Sequence, residues 1–250
     1  MSNIKVSVII PMYNAARFIE SSINALLDQT LKDIEILVMD DCSPDNSADI
    51  VNSVYADCDR VRYVKMAVNG GPGKARNRGI ELAEGEYVTF LDADDGIVPE
   101  ALERLYNAAV KFDADVVQSA GAYVPAMFPT PDNIMLTPDD KMVASYKDAD
   151  TREPMLISDD MNERIQGLMA GKLGGNVWGK IFKKSFLVEN NINMPDLKLS
   201  EDTIMCLECL VKAKRYVVTP YFSIIYRMIG DSLSKGTKTI AFMHKTLDAT

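Results

Sequence analysis

Between residues 4 and 91 the chain alternates short, continuous apolar runs with segments of helical period, and that alternation restricts the fold more than any other feature. Ile4 to Ile10 is a β-branched run stopped by Pro11, as expected of a parallel strand covered on both faces. Ala15 to Thr30 follows with Phe18, Ile19, Ile23, Leu26 and Leu27 at helical spacing, and Ile34 to Met39 is a second buried strand. A helix over Asp45 to Tyr55 has Ser43 as its expected N-cap and Pro44 at its first position. Val61 to Met66, Lys74 to Ala83 and Glu86 to Leu91 read as strand, helix and strand, and Pro99 to Phe112 and Asp115 to Ser119 add a helix and a strand. Such alternation with short connections implies right-handed crossovers and a mainly parallel sheet flanked by helices. The ligand site then falls at the C-terminal ends of the strands.

The strand Glu86 to Leu91 runs straight into Asp92-Ala93-Asp94-Asp95, with a turn expected at Gly96. If the strand continues, Asp92 and Asp94 stand at i and i+2 and share a face at the ligand-binding edge. Two carboxylates that close repel unless a cation lies between them. Hard oxygen ligands suit Mg2+ or Mn2+, in company with a substrate's phosphates. Met39 and Asp41 have the same spacing at the end of a neighbouring strand, where Asp41 could read an N–H of a base or merely organise the turn before Ser43-Pro44. Asn69-Gly70-Gly71-Pro72-Gly73-Lys74 fails the phosphate-loop pattern, having Val68 for its first glycine and Ala75 for its hydroxyl residue. No G-x-G-x-x-G follows the first strand. What remains is a glycine-rich turn delivering Arg76 and Asn77 to a helix start, where backbone N–H groups and a guanidinium could meet an anion, or where the Arg is simply exposed.

The 250 residues carry 27 basic and 36 acidic side chains, a net charge of -9, which argues against general nucleic-acid binding. A phosphorylated small molecule stays compatible if a divalent cation mediates. The N-terminus goes directly into the first strand, so neither a secretory signal nor a transmembrane segment is expected; the compartment expected is the cytoplasm, with peripheral association at the inner face of a membrane left open. Cys206 and Cys209, three apart in an apolar helical pattern, read as buried thiols. Tyr123 to Asp160, with four prolines and the polar run Lys147 to Glu153, reads as a surface excursion or flexible flap. Ser158 caps a helix through Ala170, and order resumes from Asn176 to Phe186 around Trp178, which is either an acceptor wall or core. Ser200 caps a helix from Glu201 to Ala213, followed by strands at Tyr216 to Thr219 and Phe222 to Tyr226. The tail 235–250 opens a helix without closing it, which suggests truncation.

Val6-Ser7-Val8-Ile9-Ile10-Pro11-Met12-Tyr13-Asn14, Val38-Met39-Asp40-Asp41-Cys42-Ser43, Asn69-Gly70-Gly71 with Ala75-Arg76-Asn77-Arg78-Gly79, and Leu91-Asp92-Ala93-Asp94-Asp95 together resemble the inverting family 2 glycosyltransferases of the GT-A fold. The resemblance returns at Asn176 to Ser185, at Leu199-Ser200-Glu201-Asp202 and at Tyr226-Arg227 to Ser234. It implies a single domain with a Rossmann-like sheet, residues 1–98 binding a nucleotide sugar and 99–234 forming a C-terminal acceptor-binding region. It further implies Pro11 and Tyr13 at the nucleotide, with Tyr13 stacked on the base, Asp41 accepting from the base and Arg76 near the nucleotide. Asp92 and Asp94 would hold ribose and a divalent metal, Mn2+ or Mg2+, on the diphosphate; Asp95 would face the donor sugar, and Asp202 would be the general base. The Asp41 position resembles that of uridine-nucleotide users, which implies a UDP-sugar donor, with a glycan or lipid-linked acceptor in surface-glycan assembly. His244, the only histidine, matches no ligand position and reads as a surface residue. Two other classes share parts of the pattern: a nucleotide-sugar-binding protein without activity, against which Asp202 counts, and a nucleotidyltransferase, whose glycine-rich basic first loop Pro11-Met12-Tyr13-Asn14 does not supply.

Overall fold

The structure is a computed structural model and describes residues 4–123, 153–225 and 227. Strand β1 (Val6–Met12) lies between β2 (Ile34–Asp40) and β4 (Tyr87–Phe90), with β3 (Val61–Lys65) outside β2, all parallel. Beyond β4 the sheet continues through β9 (Lys180–Lys183), β6 (Val116–Gln118), β10 (Tyr216–Val218) and the edge strand β8 (Met155–Leu156). Of these, β9 and β8 run antiparallel to their neighbours. A second sheet orders β5 (Gly96–Ile97), β11 (Phe222–Ile225) and β7 (Gly121–Tyr123).

The side chains of β1 alternate between two cores. Val6, Val8, Ile10 and Met12 pack with α1 (Ile19–Leu27), α2 (Ser47–Val54) and α4 (Ala101–Phe112), while Ile9 packs on the opposite face with α3 (Pro72–Leu82), α6 (Lys184–Glu189) and α7 (Glu201–Lys212). Burial on both faces is why β1 and β2 read as unbroken apolar runs. The first strand was expected to stop at Pro11, yet it runs on to Met12. Ile9 C=O accepts from Leu91, so alternate residues of β1 direct their backbone groups at β4, whose pairing ends at Ile9 opposite Phe90. The N–H that Pro11 lacks is therefore one that no neighbouring strand would use.

Several expected element ends are corrected. Ser43 does not cap α2, and Pro44 is not in it; Ser43 Oγ accepts from Asn14 N–H at 3.3 Å. Asp45 accepts from Ser47 N–H through Oδ1 and from Ala16 N–H through Oδ2, tying the loops after β1 and β2 together, so the helix begins later, at Ser47. Asp160, not Ser158, caps α5 (Met161–Met169) by accepting from Glu163 N–H at 3.0 Å. Of the expected flap, residues 124–152 lie outside the described residues; Met155–Leu156 is corrected to a sheet edge, paired antiparallel with β10. Gly96 is corrected from turn to strand, since it pairs with Ile225 in the second sheet.

Candidate active site

The order β3-β2-β1-β4 reverses direction beside β1, which opens a crevice outside the C-terminal ends of β1 and β4. Tyr13 stands at its rim, 54% exposed, two residues after the partly buried Pro11. Asn14, Cys42 and Ser200, on three loops of the chain, hold φ of 53°, 62° and 65°. For Cys42 and Ser200 such left-handed backbone costs about 1–3 kcal/mol and persists only where the surroundings over-determine it.

Asp41 is 3% exposed just past β2. Its Oδ1 accepts from Gly70 N–H at 2.8 Å and its Oδ2 from Gly71 N–H at 2.7 Å, while its backbone carbonyl accepts from Asn69. The glycine turn does bind an anion, but that anion is Asp41. Gly71 sits at φ 84°, a conformation that favours glycine, and α3 starts directly after it with Pro72. Each oxygen of Asp41 keeps a further lone pair, so a role toward a base is not used up.

Asp92 and Asp94 are not on a strand: β4 ends at Phe90, and Asp95 N–H donates to Asp92 C=O at 3.0 Å. A turn, in place of the expected pleat, gathers the three carboxylates. Asp92 Oδ1 lies 2.6 Å from Arg76 Nη2, and Arg76 Nη1 lies 3.2 Å from Glu201 Oε1. Arg76 is 6% exposed, not at the surface, and its Nε has no hydrogen-bond partner among the described residues. Burial alone would lower its pKa; the Asp92, Glu201 and Asp202 charges outweigh that and raise it. Burial, and then the Asp92 charge, push the Asp94 carboxyl up. Asp95, 1% exposed, is pushed up to about 8 by burial and then by Asp92, although its Oδ1 accepts from Arg227 N–H at 3.0 Å. Its Oδ2 is buried with no partner among the described residues.

These residues fit a divalent cation of the kind completed by a substrate. No three His, Cys, Asp or Glu side chains among the described residues form a ready-made cage. An Asp94 carboxyl raised by burial and by the Asp92 charge, with the orphaned Asp95 Oδ2 alongside, is what a cation shared with phosphate oxygens would relieve.

Across the crevice, Asp202 occupies the first turn of α7, half-buried, its Oδ1 accepting from Thr203 N–H at 2.7 Å. Ser200 holds the N-cap position but in left-handed backbone and without a side-chain cap bond, so the expected capping is corrected in its chemistry and not in its place. Three residues nearby were not singled out from the sequence. Glu201 entered only within the run Leu199-Ser200-Glu201-Asp202 and was given no role. Lys180, 1% exposed at the start of β9, donates to Asn176 C=O at 2.5 Å and Oδ1 at 3.3 Å, and burial lowers its pKa. Arg227 stacks its guanidinium 5.0 Å from the Phe18 ring centre while its N–H holds Asp95. The signal for Lys180 was present in a lysine preceding an apolar strand, Ile181-Phe182. Trp178 is half-buried against the core shared by β1 and α1. His244, Tyr226 and Ser234 lie outside the described residues. No helix among the described residues is long and apolar enough to cross a membrane.

Known proteins share this fold. The model of glycosyl transferase family 2 matches residues 7–149. Poly(ribitol-phosphate) beta-glucosyltransferase of Bacillus spizizenii is 32% identical over 231 residues, covering 91% of this chain and 33% of the relative. The uncharacterized glycosyltransferase EpsJ of Bacillus subtilis is 31% identical over 240 residues, 92% of this chain and 63% of that protein. The chain thus spans between a third and somewhat under two thirds of the length of such relatives. The crystal structure of S. aureus TarS 1-349 in complex with UDP superposes with a TM-score of 0.70 at 25% identity, over 90% of this chain and 60% of that one. The same protein in complex with UDP-GlcNAc gives a TM-score of 0.75 at 24% identity, over 98% and 65%. The fold is the GT-A arrangement, and this chain belongs to glycosyl transferase family 2.

Proposed function

We propose that the chain is a metal-dependent inverting glycosyltransferase that moves a sugar from a UDP-sugar to an acceptor hydroxyl on a glycan or lipid-linked chain, in polysaccharide or surface-glycan biosynthesis. The observation that carries this reading is the meeting, around one crevice, of the Asp92–Asp94–Asp95 turn and the α7 carboxylates, joined through buried Arg76. The UDP complex of the TarS structure, which shares the fold, supports the choice of nucleotide.

In this reading Tyr13 offers its exposed ring to the uracil face, and Asp41 holds the glycine turn while presenting an acceptor to the base. Asp94 with Asp92 would hold Mg2+ or Mn2+, which would supply positive charge to the departing diphosphate. Asp95 faces the donor sugar, and Asp202 takes the proton of the acceptor hydroxyl as the anomeric carbon is attacked from the opposite side. Asp202 stands in the first turn of α7, next to Glu201. It suffices as a base when the leaving group departs early and the hydroxyl is already acidified. Screening UDP-sugars for slow release of UDP finds the donor without knowledge of the acceptor. With that donor, Asp202→Asn should lower turnover by roughly 10²–10⁴ and leave UDP affinity intact. Full turnover in that variant would sink the assignment.

A further inference from the structure

Glu201 stands beside the proposed base, yet it is among the least exposed carboxylates of the described residues, its side chain 8% exposed. A helix-start acid that served only the dipole would be free to face solvent. Instead Glu201 Oε1 faces Arg76 Nη1 at 3.2 Å, across 125 residues of sequence, and Nη2 of the same guanidinium is 2.6 Å from Asp92 Oδ1. The contact between α3 and the first turn of α7 leaves no slack. A Cβ on Gly73 would stand 2.9 Å from Glu201 Cγ and 3.6 Å from Met194 Cβ. One residue beyond Arg76, Asn77 exchanges two hydrogen bonds with Met194, Nδ2 to C=O at 2.8 Å and N–H to Oδ1 at 2.9 Å. Stability does not require a charged bridge here, because well-packed apolar side chains of similar volume commonly serve as well or better. What a planar guanidinium adds is direction: its rigid fork fixes the two carboxylates relative to each other.

Resting on the assignment of Asp202 as base, we propose that Glu201 is a positioning residue: through Arg76 it fixes the first turn of α7 to the Asp92 turn, and so holds Asp202 at a set place relative to the donor. Glu201 touches neither donor nor acceptor. Its side chain is spent on Arg76, and its effect reaches the reaction only through where Asp202 stands.

The test is a cycle of four enzymes, wild type, Glu201→Gln, Asp202→Asn and the double variant, assayed by UDP release from the UDP-sugar that supports turnover. Glu201→Gln should lower kcat at least about tenfold while UDP affinity by calorimetry stays within about threefold. In the Asp202→Asn background the same substitution should change kcat less than about twofold, since no base is left to position. Gly73→Ala displaces Glu201 without changing charge, and should lower kcat in the same direction with UDP affinity held. A readout independent of activity is hydrogen exchange at the Thr203 N–H, which donates to Asp202 Oδ1; it should accelerate in Glu201→Gln. Equal losses of kcat in both backgrounds, or unchanged Thr203 exchange, would overturn the positioning role while leaving Asp202 as base. Full turnover in Asp202→Asn alone would instead remove the assignment beneath it.

Discussion

The Arg76 guanidinium is the only cation within hydrogen-bond reach of Glu201 among the described residues, so replacing it leaves a buried carboxylate without its counter-charge. Breaking such a pair from one side costs about 3–5 kcal/mol. Asp92, a third exposed, is partly screened by water and adds little to that. Arg76→Met should therefore lower unfolding free energy by about that amount in denaturant melts, and Arg76→Met with Glu201→Met should recover more than half, because no charge is then buried unpaired. The cysteines give a second residue-scale expectation. Burial pushes the Cys206 thiol up to about 11 from 9.0 and raises Cys209 further, while Cys42 and Cys58 are partly exposed. Native alkylation followed by mass spectrometry should label Cys42 and Cys58 well before Cys206 and Cys209. For Cys206 the folded state keeps its proton between about 9 and about 11 where the unfolded state loses it, so its contribution to stability is present below pH 9 and falls as pH rises through that window; Cys206→Ala should flatten the fall. At this scale the sequence revealed which residue types mattered and hid their surroundings. Asp92 and Asp94 drew notice by their place after an apolar strand and Asp202 by the family resemblance, whereas the burial of Arg76 and Lys180 depends on partners more than a hundred residues away or on a loop fold that no local pattern encodes.

At the scale of elements, β1, β2, α1 and α4 were legible because each presents a continuous or periodic apolar surface to a core. Their ends were less so, because caps depend on which loop reaches back: Asp45 serves Ala16 as well as Ser47, and Asp160 displaces Ser158. Two-residue strands such as β5 and β8 are too short to carry a period and exist only through their partners, Ile224 with Ile225 and Val217 with Val218. Helix α3 had no strong apolar stripe, and its glycines explain why it still packs. A Cβ on Gly79 would stand 2.4 Å from Ile9 Cγ2 and 3.0 Å from Cγ1, so the helix lies against β1 with no room for a methyl group. Gly79→Ala should cost about 1–3 kcal/mol by overpacking, despite the better helix propensity of alanine. Urea unfolding measures it, and a stabilised variant would show that α3 can lift from β1. Because Arg76 and Gly79 share α3, the same variant should also lower turnover, with UDP affinity held, if the helix is what places the guanidinium.

At the scale of the whole molecule, a chain of net charge -9 gathers three acidic residues at the mouth of the crevice where a diphosphate is proposed to bind. The two arms of Arg76 are already engaged by Asp92 and Glu201, so that cation offers little to a further pair of phosphates. Asp94 and Asp95 are both raised from the ordinary aspartate value, chiefly through burial and next through the Asp92 charge, and anions brought close would raise them further. A divalent cation shared by Asp94, Asp92 and the diphosphate removes both repulsions at once. UDP should accordingly bind with Mg2+ or Mn2+ present and lose at least about tenfold in affinity, roughly 1.4 kcal/mol, when a chelator is added. Calorimetry with and without the chelator makes the comparison. Asp94→Asn should abolish the metal-dependent part while leaving the melting temperature unchanged or slightly raised, because it removes a carboxylate whose burial disfavours its ionised form. Equal affinity with and without the chelator would take the metal out of the reading. The Arg227 guanidinium, which stacks on Phe18 near the Asp95 carboxylate, would then be the cation to test against the diphosphate.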